Sequence, residues 1–299
     1  MAISAVSRWG RCGFGTVLLA LSGTAAAGAI TFNTALPVAE DTYVTRLQYL
    51  HRKRSDEIPG GREVDVDAVA GVLGYGFSAD WTGFAVTSWQ DKSLMLDTPG
   101  GRVEREASGL GDTTLLLRYN AFERNEPGKL FRIAPIVGVI APTGESDDRD
   151  SRGEAPRPLQ PGSGSWGAVA GVVMTRQTLD WQVDTSVKAT TRGRDEGYEP
   201  GEILELAGSY QYRLPWPERG SPAFSYAVLE AKGIHHRDDV IGGSEIDNGG
   251  TEWRLIPGLQ YVTRRWIVDA AVELPVADNR PDTALRDDAI WRTSVRFNF

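Results

Sequence analysis

The chain has 299 residues, 41% of them hydrophobic and 24% charged, and its 40 acidic against 32 basic side chains give a formal net charge of -8. This acidic balance excludes a phosphate-backbone binder, and the composition fits neither a disordered chain nor a helical membrane bundle. One Cys and 3 His exclude a disulfide scaffold and a Cys/His zinc module. Nucleic acid is not an expected partner.

At the start of the chain, Arg8 and Arg11 precede an apolar run through Val17-Leu18-Leu19-Ala20-Leu21 and small residues ending at Ala25-Ala26-Ala27. That order predicts an export signal over residues 1–27, cleaved after Ala27; the run is too short and too broken by Gly and Ser for a span of about 20 residues. Cleavage removes Cys12, so no disulfide is available to the exported chain. Residues 28–41 are expected as a short periplasmic segment, and residues 42–299 as one domain.

From residue 42 onward the recurring pattern is alternation. In Trp181-Gln182-Val183-Asp184-Thr185-Ser186-Val187-Lys188-Ala189 the odd positions are apolar or small and the even ones polar. This period of two marks a strand between unlike environments. The same holds for Thr113, Leu115, Leu117 and Tyr119, for Trp253, Leu255, Pro257, Leu259 and Tyr261, and for Trp291, Thr293, Val295, Phe297 and Phe299. Segmentation predicts strands at 42–52, 63–77, 81–95, 112–122, 130–141, 165–177, 181–190, 202–213, 223–233, 251–262, 266–276 and 289–299. Strand 223–233 is ambiguous: Phe224, Tyr226 and Val228 suggest one outward face, whereas Glu230 prefers an inward one.

Short connections at Ser78-Ala79-Asp80, Thr178-Leu179-Asp180 and Thr263-Arg264-Arg265, with others near Glu123 and Pro217, alternate with long polar ones near Ile58, Gly100, Asp148, Arg194, Asp238 and Asp282. Short turns at one end and long loops at the other predict an all-β fold: one up-and-down antiparallel transmembrane barrel of twelve strands in the bacterial outer membrane. Aromatic residues support lipid contact. Trp81, Trp181 and Trp266 each follow a short turn, while Phe77, Phe122, Tyr212, Tyr261 and Phe299 lie before a turn or at the chain end. Trp166, Trp253 and Trp291 lie where strands descend from long loops, as a second interfacial girdle requires.

Four short motifs carry a resemblance. Gly109-Leu110-Gly111-Asp112 before a strand, Arg118-Tyr119, Pro142-Thr143-Gly144 closing another strand, and Leu159-Gln160-Pro161-Gly162-Ser163-Gly164 before the next resemble the outer-membrane barrels grouped as the phenol meta-pathway degradation family, mainly over residues 80–210. The terminal Phe299, with aromatics at alternate positions before it, is similar to the C-terminal signal read by the outer-membrane assembly machinery. The resemblance implies a transporter of small, aromatic compounds and brings no catalytic residues.

Other motifs favour structural readings. Gly162-Ser163-Gly164-Ser165-Trp166-Gly167 fits G-x-G-x-x-G, but a Pro-rich loop precedes it and an alternating strand follows, so no dinucleotide cofactor is expected. His51 near Ser55, and His235 and His236 in the same loop region as Ser244, lack an orienting carboxylate identifiable by spacing. No catalytic residue is assigned. The acids Asp147, Asp148, Asp150, Asp238, Asp239, Asp287 and Asp288 match no calcium-loop spacing and are read as a solvated acidic surface, with no metal site.

The inward faces carry the functional candidates. A simple register for the last hairpin sets Glu273 opposite Arg292 and Asp269 opposite Arg296, and Lys188 opposite Glu205. Two readings remain open. Either ion pairs stitch the lumen, or Arg46, Arg118, Arg132, Arg292 and Arg296 line a path selecting anionic or aromatic solutes. Twelve strands lie between the filled interiors of about 8 and the open channels of about 16–18, so a narrow lumen is expected. Passage of a small solute is the leading function. An outer-membrane hydrolase, or a plugged barrel binding partners at the cell surface, is the alternative.

Overall fold

The computed structural model describes residues 27–56, 61–98, 100–218, 220–282 and 284–299. The predicted leader, apart from Ala27, lies outside the described residues, as does Ile58. Alternation does build the wall: β1 (Tyr43–Ser55), β2 (Glu63–Gly76) and β3 (Trp81–Thr98) are joined by β4, which runs in three pieces, Gly101–Leu110, Thr113–Tyr119 and Phe122–Glu126. Then follow β5 (Lys129–Ala141), β6 (Gly167–Thr178), β7 (Trp181–Arg192) and β8 (Ile203–Arg213). The last four are β9 (Phe224–His236), β10 (Gly250–Val262), β11 (Trp266–Asp278) and β12 (Ile290–Asn298). All neighbours pair antiparallel, and β12 pairs back onto β1 through Leu47 and Val295, closing a barrel of 12 strands. Closure leaves no sheet edge, the condition for strands to cross a bilayer core.

Among the described residues no helix is long and apolar enough to cross a membrane. The outward rows instead carry exposed apolar side chains such as Leu47, Val69, Val137, Leu206 and Leu259. At the short-turn end, rings stack across strands: Tyr43 on Tyr75 and Trp81 on Tyr119, each pair at 4.6 Å between centroids, and Tyr261 on Trp266 at 5.5 Å. The guanidinium of Arg176 lies over the Trp181 ring at 5.7 Å, and Phe299 is exposed at the chain end. Trp89, Trp166, Trp253 and Trp291 are exposed on the long-loop side. Two girdles flanking an apolar band fit the depth profile of an outer-membrane barrel.

Four expectations change. The connection near Gly100 is no polar loop: β3 and the first piece of β4 pair from Trp89↔Leu110 to Thr98↔Gly101, carrying the sheet beyond the barrel rim. Strand β9 faces Val228, Glu230 and Lys232 inward, with Phe224 and Tyr226 packed on the lumen side against Ala27, Val262 and Ile267. The last hairpin is shifted by two from the simple register. Asp269 stands opposite Ser294, Glu273 opposite Ile290 and Arg296 opposite Ile267. A shift of two preserves every side chain's face, so the hydrophobic pattern cannot distinguish it. Finally, the segment 28–41, read as a periplasmic stretch ahead of the barrel, runs against inward wall side chains from Gly28 to Val38.

Candidate functional site in the barrel lumen

The inner end is crossed by the chain itself. An extended segment exposes backbone groups that need partners, and here inward side chains from around the wall supply them. Gln260 of β10 accepts from Gly28 N at 3.2 Å, and Glu230 of β9 accepts from Ile30 N at 2.6 Å and Thr31 Oγ1 at 2.6 Å. Thr175 of β6 accepts from Ala35 N at 2.8 Å. On the opposite wall Arg118 of β4 donates to the carbonyls of Thr34 and Leu36 at 2.5 and 2.6 Å, and Thr82 of β3 accepts from Val38 N at 3.3 Å. Arg46 of β1 donates to Ile30 O at 2.7 Å. Strands β3 and β4 lie six places around the ring from β9 and β10, so the strap spans the bore.

Apolar sockets fix its height. Ile30 packs with Val228, Ile256 and Ala271, and Ala35 with Ala134, Ile136 and Val173. Gly258 makes room, since a Cβ there would meet Ile30 Cδ1 at 2.7 Å. This explains the ambiguity of β9: its inward apolar residues have an apolar partner that its own alternation does not reveal. Inward Tyr226, Val228 and Ile256, with Ile136 and Val173 across the bore, are the sequence signal that something apolar fills the lumen.

Above the strap, ionic side chains converge. Arg254 of β10 donates to Glu252 at 2.6 Å, to Glu273 at 3.0 Å and to Asp287 at 2.6 Å. Arg280 reaches Glu252 at 3.2 Å. Arg292 bonds Glu273 diagonally despite the shifted register, and Lys188 pairs with Glu205 directly across the strands as expected. Asp269 is held by Ser294 Oγ at 2.7 Å and Arg46 at 3.3 Å, and it attracts Arg296 from a position that is not directly opposite. Arg296 stands beside Arg46 in the register. Arg132 reaches Glu123 at 3.1 Å near the short-turn end. The candidates thus divide: Arg46 and Arg118 hold the strap, Arg132 serves a turn, and Lys188, Glu205, Glu273 and Arg292 belong to the outer half.

Three of the four family-like motifs meet in one knot at the outer rim, while Arg118-Tyr119 lies at the inner end. Asp112 accepts from Gly144 N at 3.2 Å, Ser163 N at 2.9 Å, Ser163 Oγ at 2.5 Å and Arg192 at 2.7 Å. A Cβ on Gly144 would meet the Gly162 Cα at 2.7 Å, so both glycines are required by backbone contact. The long loop 142–166 thereby folds against the inward face of the β3–β4 extension, where Lys92 donates to Gln160 O at 2.8 Å and Leu159 and Ala155 pack on Ala107. The G-x-G-x-x-G stretch is part of this knot.

Many loop acids are bound within the protein and do not form the solvated surface expected of them. Asp148 accepts from Ser108 N at 2.8 Å, Asp239 from Gly201 N at 2.7 Å, and Asp287 from three arginines. Burial pushes the Asp287 carboxyl up, but the hydrogen bonds and charge of Arg52, with Arg54 and Arg254, outweigh it and hold the group well below the usual carboxylate range. A depressed pKa contributes stability that is complete above the unfolded value of about 3.9 and is lost as pH falls toward the folded one. The difference in heat stability between the parent and Asp287→Asn is therefore expected to stay constant from about pH 8 to pH 5 and to shrink below about pH 4, read as loss of the compact gel form.

The histidines do not assemble a hydrolase centre. His51 faces outward and bonds Asp67 at 3.0 Å, and Tyr49 bonds the same carboxylate at 2.5 Å. Ser55, four residues along the strand, lies roughly 13 Å away at ordinary strand rise. His235 bonds Thr251 at 2.9 Å, and His236 lies 3.5 Å from Glu252. Among the described residues no serine hydroxyl bonds any of the three.

A closed antiparallel wall with an outward apolar band, two aromatic girdles and polar inward rows defines an outer-membrane β-barrel. The chain belongs to the family described as "Putative MetA-pathway of phenol degradation", which matches residues 52–293, wider than the stretch carrying the motifs. A COG4313 outer membrane channel from Pseudomonas putida F1 is similar in structure, with a TM-score of 0.69 at 13% identity, covering 91% of this chain and 100% of that one. The beta domain of a Bordetella autotransporter, BrkA, gives 0.49 at 13% identity, covering 87% and 100%. A Pseudomonas aeruginosa FadL homologue gives 0.37 at 10% identity, covering 86% and 89%. No curated protein matches the sequence.

Proposed function

We propose that the barrel passes small anionic solutes, aromatic acids among them, and that the strap over residues 27–39 must leave its sockets for them to cross. The observation behind this reading is the excess of bases over acids on the inward face of the outer half. Arg52, Arg54, Lys92, Lys188, Arg192, Lys232, Arg254 and Arg292 stand against Asp112, Glu205, Glu252, Glu273 and Asp287, so bases remain in excess after every acid there has a partner. Lys232 is 5% exposed, and Glu273 and Glu205 attract it without a hydrogen bond to either. A desolvated excess of positive charge lowers the energy of an anion inside the bore and raises that of a cation. The aromatic part of the proposal rests on the family description. Exposed Phe299 would be the group read by the assembly machinery, and outer-membrane lipid the surroundings of the apolar band.

Planar-bilayer recordings under a salt gradient test this. The reversal potential of the parent should show anion preference, and the double variant Lys232→Ala, Arg292→Ala should shift it toward cations while still running as a compact form on unheated gels. An unchanged reversal potential would return both residues to a purely structural role. Absence of current from the parent and from a chain lacking residues 28–39 would favour a second reading: a closed barrel that binds partners at its outer surface. The strap itself is the observation that keeps this reading in view.

A further inference from the structure

The last outer loop, residues 279–289, folds back over the rim and into the bore. Arg286 and Asp287 pair with Ser55 and Arg54 of β1, and Asp288 N donates to Lys53 O at 2.9 Å. This places the Asp287 side chain, 0% exposed, among three guanidinium groups. Arg52 grips both its oxygens, Nε to Oδ1 at 2.5 Å and Nη2 to Oδ2 at 2.6 Å. Arg54 Nε adds 3.1 Å to Oδ1 and Arg254 Nη2 adds 2.6 Å to Oδ2. Paired forks of this kind match the planar geometry of a carboxylate.

The cradle belongs to the wall and its occupant to the loop. Arg52 and Arg54 are carried by β1 and Arg254 by β10, three places apart around the ring. Among the described residues of the loop, Ala284 is the one buried apolar side chain, so the loop is held chiefly by polar contacts. A ligand presenting the same group can replace contacts of that kind bond for bond.

We infer that Arg52, Arg54 and Arg254 form a carboxylate-binding site on the path, that Asp287 fills it in the empty protein, and that an arriving monocarboxylate exchanges with Asp287 and frees the loop. This rests on the anion-passage reading and names its chemistry. The ligand should carry one carboxylate and an uncharged remainder. Arg254 is already bonded to Glu252 at 2.6 Å and Glu273 at 3.0 Å, so a second negative charge would meet two fixed carboxylates.

Two measurements on the full chain in detergent test this without using conductance. In the first, the temperature at which the compact gel form is lost is compared in acetate and in chloride at equal ionic strength and pH. Asp287→Ala should lose temperature in chloride and regain most of it in acetate, whereas the parent, where acetate only takes the place of a carboxylate already bound, and Asp287→Asn, whose amide still occupies the space, should gain much less from it. Equal response of Asp287→Ala to both salts, or equal acetate protection of all three proteins, would overturn the site. In the second, trypsin cleavage after Arg286 in the parent should rise with benzoate and stay flat with chloride. Cleavage indifferent to benzoate would overturn the exchange, and this arm decides if Asp287→Ala fails to assemble. Acetate rescue beside a silent bilayer would refute passage and leave the site standing.

Discussion

A chain lacking residues 28–39, with the sequence before Gly28 unchanged, is expected to conduct continuously where the parent opens rarely. The strap is held by hydrogen bonds to the charged groups Arg46, Arg118 and Glu230. Such bonds contribute about 1.5–3 kcal/mol each. Together they exceed about 4 kcal/mol, which limits spontaneous release to roughly one molecule in 1,000. The sockets for Ile30 and Ala35 add to that hold. Glu230→Gln keeps the shape and removes the charge. Its share of about 1.4–2.8 kcal/mol should raise the open fraction by about tenfold to a hundredfold. Single-channel recording reads both variants, and heat-modifiable migration on gels shows that they are assembled. A deletion that conducts no better than the parent would mean that the outer loops, not the strap, close the bore.

Arg254→Ala is expected to be the most destabilising single change in the wall. Arg254 is 5% exposed and is bonded at once to Glu252, Glu273 and Asp287. Removing one partner from a buried ionic network costs about 3–5 kcal/mol, because the groups left behind keep their charge without its counter-charge. The lower end applies here. Arg280 still holds Glu252, Arg292 still holds Glu273, and Arg52 still holds Asp287. Arg254→Lys should recover only part of the loss, since one ammonium cannot reach three carboxylates with the spread of a guanidinium. The measurement is the temperature at which the compact gel form disappears. Equal temperatures for the parent and Arg254→Ala would show that the cluster carries no structural energy.

Neither effect could have been assigned from the sequence, although much of the wall could. Period-two runs such as Trp181–Ala189 and Trp253–Tyr261 determined which residues face out, because a strand's alternation is local and needs no knowledge of its neighbours. The turn-adjacent tryptophans marked the membrane levels for the same reason. The Asp112, Gly144 and Gly162 motifs were visible as family-like patterns, but their convergence on one carboxylate was not.

The tertiary structure decided what occupies the bore. Residues 27–39 have no periodicity, and they are held through backbone amides and carbonyls, which every residue possesses and which leave no side-chain signature. Arg118 therefore looked like a lumen-lining charge, whereas it holds the carbonyls of Thr34 and Leu36. The shift that sets Asp269 opposite Ser294 kept every face unchanged and so was invisible to alternation. Asp287 looked like one of several loop acids. Only the return of its loop onto β1 sets it among Arg52, Arg54 and Arg254, residues separated from it in sequence and joined to it by closure of the ring.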